Sequence, residues 1–458
     1  KFGDTADDIH SFTGSLEVSG SGTFKDDITV NSVTVGTGGG SIGSNVALGF
    51  QAFSSNTTGA INTAVGNRAL EDNTSGRFNV AVGGSSLGSN TIGACNTALG
   101  VNALKDNTTG SDNVAVGYRT LCSNTVGRGN IAIGCAALSS NQEGIHNVAI
   151  GRSALGSSTA NQSTAIGAFA SANTTTGNRN VSIGYRSLLN NTVGGCNTAV
   201  GFNSLKANTT GGSNVAIGAG ALCNNTTGNR NVGIGHCALY SNSTASNNIG
   251  LGACALTSNT TGEANLAIGH TALCSNTAGR CNIAVGVEAL QNNTVGIFHT
   301  AIGFRALKCN TTGNSNTAVG HQSLALNTSG FSNTSVGTYS LCGNTTGIQN
   351  TAVGRGSLRN NTSARRNTGI GYKSLYSNTT GQYNVAVGSS ALVCNTVGTN
   401  NVAVGDQALE LNQTGTLNTA VGRRALRCNT AGSNVAVGAC ALYVNTTGTN
   451  NTAVGTAA

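Results

Sequence analysis

The sequence predicts an all-β protein: a parallel β-solenoid, or β-roll, of 17-residue repeats with about 24 rungs, assembled as a homotrimeric fibre. Three observations carry that expectation. Residues 62–78, N-T-A-V-G-N-R-A-L-E-D-N-T-S-G-R-F, recur as N-V-A-V-G-G-S-S-L-G-S-N-T-I-G-A-C, and the pattern runs to the end of the chain. Numbering one copy 1 to 17 from Asn62, the glycine at position 5 marks 25 copies from Gly49 to Gly455, spaced by 22 steps of seventeen and two of sixteen. Ahead of that glycine, β-branched, small and aliphatic residues alternate as in a strand, and the fixed glycines with N-T-T-G leave no room for an amphipathic helix.

Composition agrees with stacked order. Gly is 67 of 458 residues and only 8% are charged, which would suit disorder were the apolar residues not confined to fixed places. The net charge of +8 reads as thinly spread, without a basic run or basic–aromatic interleaving, which speaks against nucleic-acid binding. No apolar segment is long enough to span a membrane, and no signal peptide is visible. Lys1 at the start and the absence of Met mark a processed or partial chain.

Taken in order, residues 1–44 differ from the rest and form a β-rich segment with short strands expected at 15–18, 22–24, 28–30 and 32–35. Residues 37–43, T-G-G-G-S-I-G, read as a flexible joint. The segment either attaches the protein to a larger particle or caps the array, which solenoids require in any case. The array occupies residues 45–458. Its first sixteen-residue step, near Gly156 to Gln162, loses N-T-T-G, and the next copy has Ser171 where Leu belongs, so this is the expected kink or weak point.

Each repeat is expected to make one rung of two short strands, near positions 1–4 and 7–10. Position 4 (Val65, Val82, Leu99) and position 9 (Leu70, Leu87, Leu104) are assigned to the interior. Turns are placed at the position-5 glycines (Gly66, Gly83, Gly100) and at Gly76 of the N-T-T-G element, where a Cβ would clash at every level. Asn at positions 1 and 12 should form amide ladders. N-T-T also matches the glycosylation acceptor, but sugars on every rung would crowd. Two aliphatic side chains per rung make a thin core, and position 3 holds only Ala, Ser or Gly. Both features fit three chains packed closely about one axis, against the alternative of a self-contained monomer.

Chemistry is sparse. The 6 His fall on scattered rungs, and no P-loop, H-E-x-x-H or nucleophile elbow occurs, so no catalytic residue, metal or cofactor is assigned. All 14 Cys lie at variable positions. Cys237 and Cys254 share position 7 on adjacent rungs, within disulfide reach; Cys274 and Cys281 lie within one repeat and form a second candidate pair, and free thiols or cross-chain pairs are the alternatives.

The half-repeat N-T-A-V-G, with N-V-A-I-G at 147–151 and N-V-A-V-G at 384–388, resembles the head repeats of trimeric autotransporter adhesins. The fuller pattern G-x-x-A-L-x-x-N-T-T-G-x-x-N-T-A-V-G, with the lead-in over residues 9–36, is similar to tail-fibre repeats of bacteriophages, marine phages especially. The resemblance covers almost the whole chain and implies a trimeric parallel β-roll outside the cell, on a virion or cell surface. The adhesin period is shorter, so handedness does not carry over, and no membrane anchor, receptor-binding tip or chaperone domain is visible.

The function expected is therefore a structural and adhesive fibre mediating host attachment, mounted on a virion or cell through its N-terminal segment. Aromatic and cationic residues at variable positions (Tyr118, Arg119, Phe202, Tyr240, Phe304, Arg305, Tyr372 and Lys373) would meet a receptor or glycan, or else are simply solvated. The alternatives are an ice-binding solenoid, using the threonine pairs Thr57–Thr58 and Thr379–Thr380, and a self-assembling extracellular filament.

Overall fold

The structure, a computed structural model, describes residues 28–30 and 33–458; the strands expected at 15–18 and 22–24 lie outside the described residues. Two strands, β1 (Ile28–Val30) and β2 (Val33–Gly36), form an antiparallel hairpin. The hairpin lies antiparallel on the first array strand, β3 (Val46–Gly49). From β3 a single parallel sheet continues through β4 (Thr63–Val65) to β27 (Thr452–Val454), one three-residue strand per later rung. The register is residue over equivalent residue, as in Thr63↔Val80 and Ala64↔Ala81. At ~4.8 Å per strand the stack is about 115 Å long.

Only positions 2–4 are extended. The second strand expected at 7–10 is instead a pair of tight turns, closed by Ala69 N–H to Gly66 O (3.3 Å) and Asn73 N–H to Leu70 O (3.2 Å). Positions 7, 9 and 17 adopt left-handed backbone, as at Arg68 (φ 55), Leu70 (φ 52) and Phe78 (φ 62). Left-handed backbone costs a leucine roughly 1–2 kcal/mol. Burying its side chain returns about 1.5–3 kcal/mol, and its N–H reaches Ser86 O in the next rung at 3.0 Å. Packing wins, and the same leucine conformation recurs up the stack.

The interior also differs from expectation. Strand side chains alternate between faces, and position 3 is the one that points inward. Ala64, Ala69 and Leu70 are fully buried, as are Leu87 and Leu104, whereas Val82 and Leu99 at position 4 are each 38% exposed and Val65 is half-exposed. Position 3 is small because Leu of the same chain fills the space. A Cβ at Gly233 would lie 3.3 Å from Leu222 Cγ.

Two amides complete each rung's interior, and both ladders exist. At position 1, Asn62 Nδ2 donates to Gly76 O (2.9 Å) while its Oδ1 accepts the backbone N–H of Asn79 (2.9 Å). At position 12, Asn90 Nδ2 donates to Asn73 Oδ1 (2.8 Å) and to Gly93 O (3.0 Å). These asparagines are buried, so the acceptor nitrogen of N-T-T is occluded within the folded array.

The two glycine columns serve different ends. Position 5 needs its backbone: Gly66 has φ 136, and a Cβ there would stand 2.6 Å from Gly83 O. Position 15 needs space alone. Gly76 is not left-handed, and a Cβ would meet Asn73 Oδ1 and Gly93 O, each at 2.5 Å. The array nonetheless admits alanine there, at Ala160, Ala245, Ala364 and Ala431.

Both sixteen-residue rungs lack position 14, since Asn147 and Asn418 still reach the position-15 carbonyls of Ala160 (2.7 Å) and Ala431 (2.9 Å). At the first, Ser158 and Thr174 replace position-12 asparagines, leaving Asn141 Oδ1 and Thr174 Oγ1 unpartnered. Ser171 replaces the core leucine and bonds Ser182 Oγ at 2.8 Å. The apolar core accordingly divides into one cluster ending at Ala170 and another beginning at Leu188. This is the weak point that the sequence marks.

Two stability predictions follow from these columns. Gly218→Ala should destabilise by about 3 kcal/mol or more, and Gly211→Ala by only about 1 kcal/mol, in denaturant titration with hydrogen exchange read at neighbouring rungs. Equal effects would contradict the distinction between backbone and space. Ser171→Leu combined with Ser182→Ala should join the two cores and add roughly 1.5–3 kcal/mol, slowing exchange across residues 156–188.

Candidate functional site

Three surfaces run along the stack. The outer sheet face carries positions 2 and 4, two columns without a single charge over all the strands. A second surface carries positions 6, 7, 10 and 11. The third carries the threonines of positions 13 and 14 with positions 16 and 17.

The threonine surface is partly consumed by the fold. Thr57 Oγ1 donates to Thr74 O (2.9 Å) and Thr379 Oγ1 to Thr396 O (3.1 Å), so position-13 hydroxyl protons are directed into the stack. Thr58 and Thr380 at position 14 are exposed, but other rungs carry Val193 or Ala278 there, which breaks the threonine column.

On the second surface, adjacent rungs bring aromatic rings into stacks. Tyr185 and Phe202 are parallel-stacked at 5.8 Å, and Phe304 and His321 at 5.4 Å. Arg305 lies 4.7 Å over Phe304, and Lys373 lies 5.3 Å over Tyr372. Of the residues singled out from sequence, Tyr118 and Arg119 share one rung of this surface, and Phe202 and Tyr240, two rungs apart, line one cleft with Gly220 and Cys237.

Charge is not thinly spread. Between Glu288 and Asp406 the chain carries seven Lys and Arg and no acid. Arg305 and Lys308 share one carboxylate, Glu288, whose pKa they hold at about 2 through contacts of 2.8 and 2.7 Å. The other five, Arg355, Arg359, Arg365, Arg366 and Lys373, have no carboxylate partner among the described residues. Arg355, Arg359 and Lys373 line one cleft of about 200 Å³ with Tyr339, Tyr372 and Tyr376. Sequence reading picked out Tyr372 and Lys373 but missed the other four. Counting cations and aromatic rings rung by rung, with position 10 treated as the neighbour of 6 and 7, would have found them.

Cys237 and Cys254 are neighbours on successive rungs and are free thiols, as are Cys274 and Cys281. Burial, then the adjacent Cys254 and Cys223, pushes the Cys237 thiol up. Burial, and then Cys254, pushes the Cys274 thiol up. Among the described residues no group of three or more His, Cys, Asp or Glu converges as a metal site.

One titratable side chain is built into the interior. His299 replaces asparagine at position 1 and is 1% exposed. Its Nδ1 accepts Asn316 N–H (3.2 Å), so the proton sits on Nε2, which donates to Gly313 O (2.7 Å). Burial lowers its pKa from 6.5 to about 4. The unfolded chain therefore binds more protons over that interval, and stability falls as pH drops from about 6.5 to about 4, by roughly 3 kcal/mol in all. His299→Asn should remove that acid sensitivity, measured as denaturation midpoint against pH; an unchanged profile would contradict the assignment.

Comparison with known proteins found no matching family model, curated protein or solved structure, and the functional conclusion rests on this geometry.

Proposed function

We propose that the chain is the stiff shaft of an external attachment fibre, a viral tail fibre or surface adhesin, in which three copies pack in parallel through their outer sheet faces. The observation that carries this is the uninterrupted, uncharged outer face. Ile183, Ile217, Ile234, Ile249 and Ile302 are all more than a third exposed on this one sheet face. Two columns about 7 Å apart over the ~115 Å stack give on the order of 1,000 Å², well beyond the scattered apolar surface of ordinary monomers.

The columns are unlike each other, which favours a ring. Position 2 mixes Thr with Val, Ile and Leu, whereas position 4 is always Val, Ile or Leu. Column 4 of one chain can pack on column 2 of the next, a head-to-tail contact that closes after three copies and keeps equivalent rungs level. The small residue at position 3 does not contribute, since its own chain accounts for it. Straight register supplies length and stiffness, and the exposed turns supply a surface for recognition. Host attachment and an external location extend this reading.

Sedimentation equilibrium should give three chains, and Ile217→Asp with Ile234→Asp should reduce the mass to one while preserving the far-ultraviolet spectrum. A wild-type monomer would sink the trimer. Antibody label in electron micrographs should fall outside the source particle or cell; label confined to the cytoplasm would defeat the fibre reading.

A further inference from the structure

We infer that the cleft formed by Tyr339, Arg355, Arg359, Tyr372, Lys373 and Tyr376 binds an acidic polysaccharide, through the carboxylate or sulfate groups of one or two sugar residues. The inference rests on the external-fibre reading only for where such a ligand is met; the site is built within one chain.

The cleft exists because one rung departs from the repeat. Position 7 carries a side chain on the flanking rungs, Tyr339 and Lys373, but Gly356 on the rung between them. Gly356 forms a floor, and a Cβ there would lie 3.4 Å from the Tyr376 ring. Over that floor the cations are held in place before any ligand arrives. Arg359 lies 5.0 Å over Tyr339 and 5.7 Å over Tyr376, and donates to the Tyr376 hydroxyl at 2.8 Å. Lys373 lies 5.3 Å over Tyr372 and 5.5 Å over Tyr376. Arg355 is exposed at the rim. Rings that fix the cations reduce the ordering that binding would require.

The chemistry selects the ligand. The lining side chains bear guanidinium, ammonium and phenol groups, which are chiefly hydrogen-bond donors, and the site contains no carboxylate. A suitable ligand is anionic, rich in acceptors, and able to lay C–H faces on tyrosine rings. An acidic sugar has all three properties. An apolar peptide anchor does not, since no aliphatic residue lines the cleft. The cations also span only two rungs, about 5–10 Å, and the rung above offers Ser389, Ser390 and Val393. A polynucleotide would call for cations continuing along the groove.

Titration calorimetry on the full chain, with chondroitin sulfate, polygalacturonate, dextran and a single-stranded oligonucleotide as probes, tests this. Binding is expected for at least one acidic polysaccharide and not for dextran. Sulfate-only or carboxylate-only binding would identify the group recognised. Arg355→Gln with Lys373→Gln should weaken binding at least tenfold. Gly356→Gln should do the same by filling the floor while leaving the cations in place, and position 7 already holds Gln322 in the same left-handed backbone (φ 51), so the rung tolerates it. No binding, binding insensitive to Gly356→Gln, or tighter binding of the oligonucleotide would overturn the proposal. Mass measured on the same samples separates the two ideas: a monomer that binds defeats the trimer alone, and a trimer that does not bind defeats this site alone.

Discussion

Every residue in the array stands over its own equivalent at ~4.8 Å, and that self-stacking is the constraint from which the rest of the structure follows. A residue type is admissible at a position only if it tolerates a copy of itself above and below. Asparagine meets the condition best, because its amide both donates and accepts; the position-12 ladder is one carboxamide bonding the next at about 2.8 Å. Glycine meets it at position 5, where a Cβ would strike the glycine of the next rung. Like charges fail it, which accounts for the small charged fraction and for acids placed one rung from cations, as with Glu288 below Arg305 and Glu410 below Arg427.

Much of this was legible in the sequence. The period, the parallel register, the ladders at Asn62 and Asn73, the Leu70 column and the interruption near Ser171 all follow from which residue types repeat and where they stop. The assignment of Val65, Val82 and Leu99 to the interior failed for a specific reason. In T-A-V a period of two leaves either Ala or its neighbours inside, and hydrophobicity alone chooses the larger side chains. The rung is too thin for that choice: Leu, Ala and two asparagines already fill it, so the methyl goes in and the branched residues go out. The second strand failed likewise, because no propensity anticipates leucine in left-handed backbone at φ 52. Stacking over-determines that conformation through burial and a rung-to-rung hydrogen bond. The cleft around Gly356 was hidden because its members are distant in sequence and adjacent only through the stack.

The thin core changes the meaning of the small residue at position 3. As long as it seemed free, it argued for a neighbouring backbone; once Leu222 is found against Gly233, the argument moves to the opposite side of the strand. That side is the better witness. Interior positions are constrained by the fold, but nothing within one chain requires position 4 to be Val, Ile or Leu on every rung while more than a third of its surface meets water at Val82, Ile133, Ile217 and Ile302. Soluble chains tolerate isolated exposed aliphatics, but a continuous column of them calls for something to cover it. The position-2 column of another copy of the chain, matched to it in length and period, would be the simplest cover.

Departures from the repeat divide by where they fall. Those in the interior act on stability: Ser158 and Ser171 interrupt a ladder and the leucine column, and His299 keeps the ladder contacts but places a titratable ring in the interior. Departures at exposed positions leave the ladders intact and change only what the shaft presents. Gly356 is of the second kind: its rung keeps Asn350, Ala352, Leu358 and Asn361 in place while removing one surface side chain. A notch bordered by unpaired cations therefore adds no strain to the stack, and it can vary independently of the fold. In a structure this uniform, recognition has to come from such local exceptions, because a ligand contacting only consensus positions would meet the same surface on every rung.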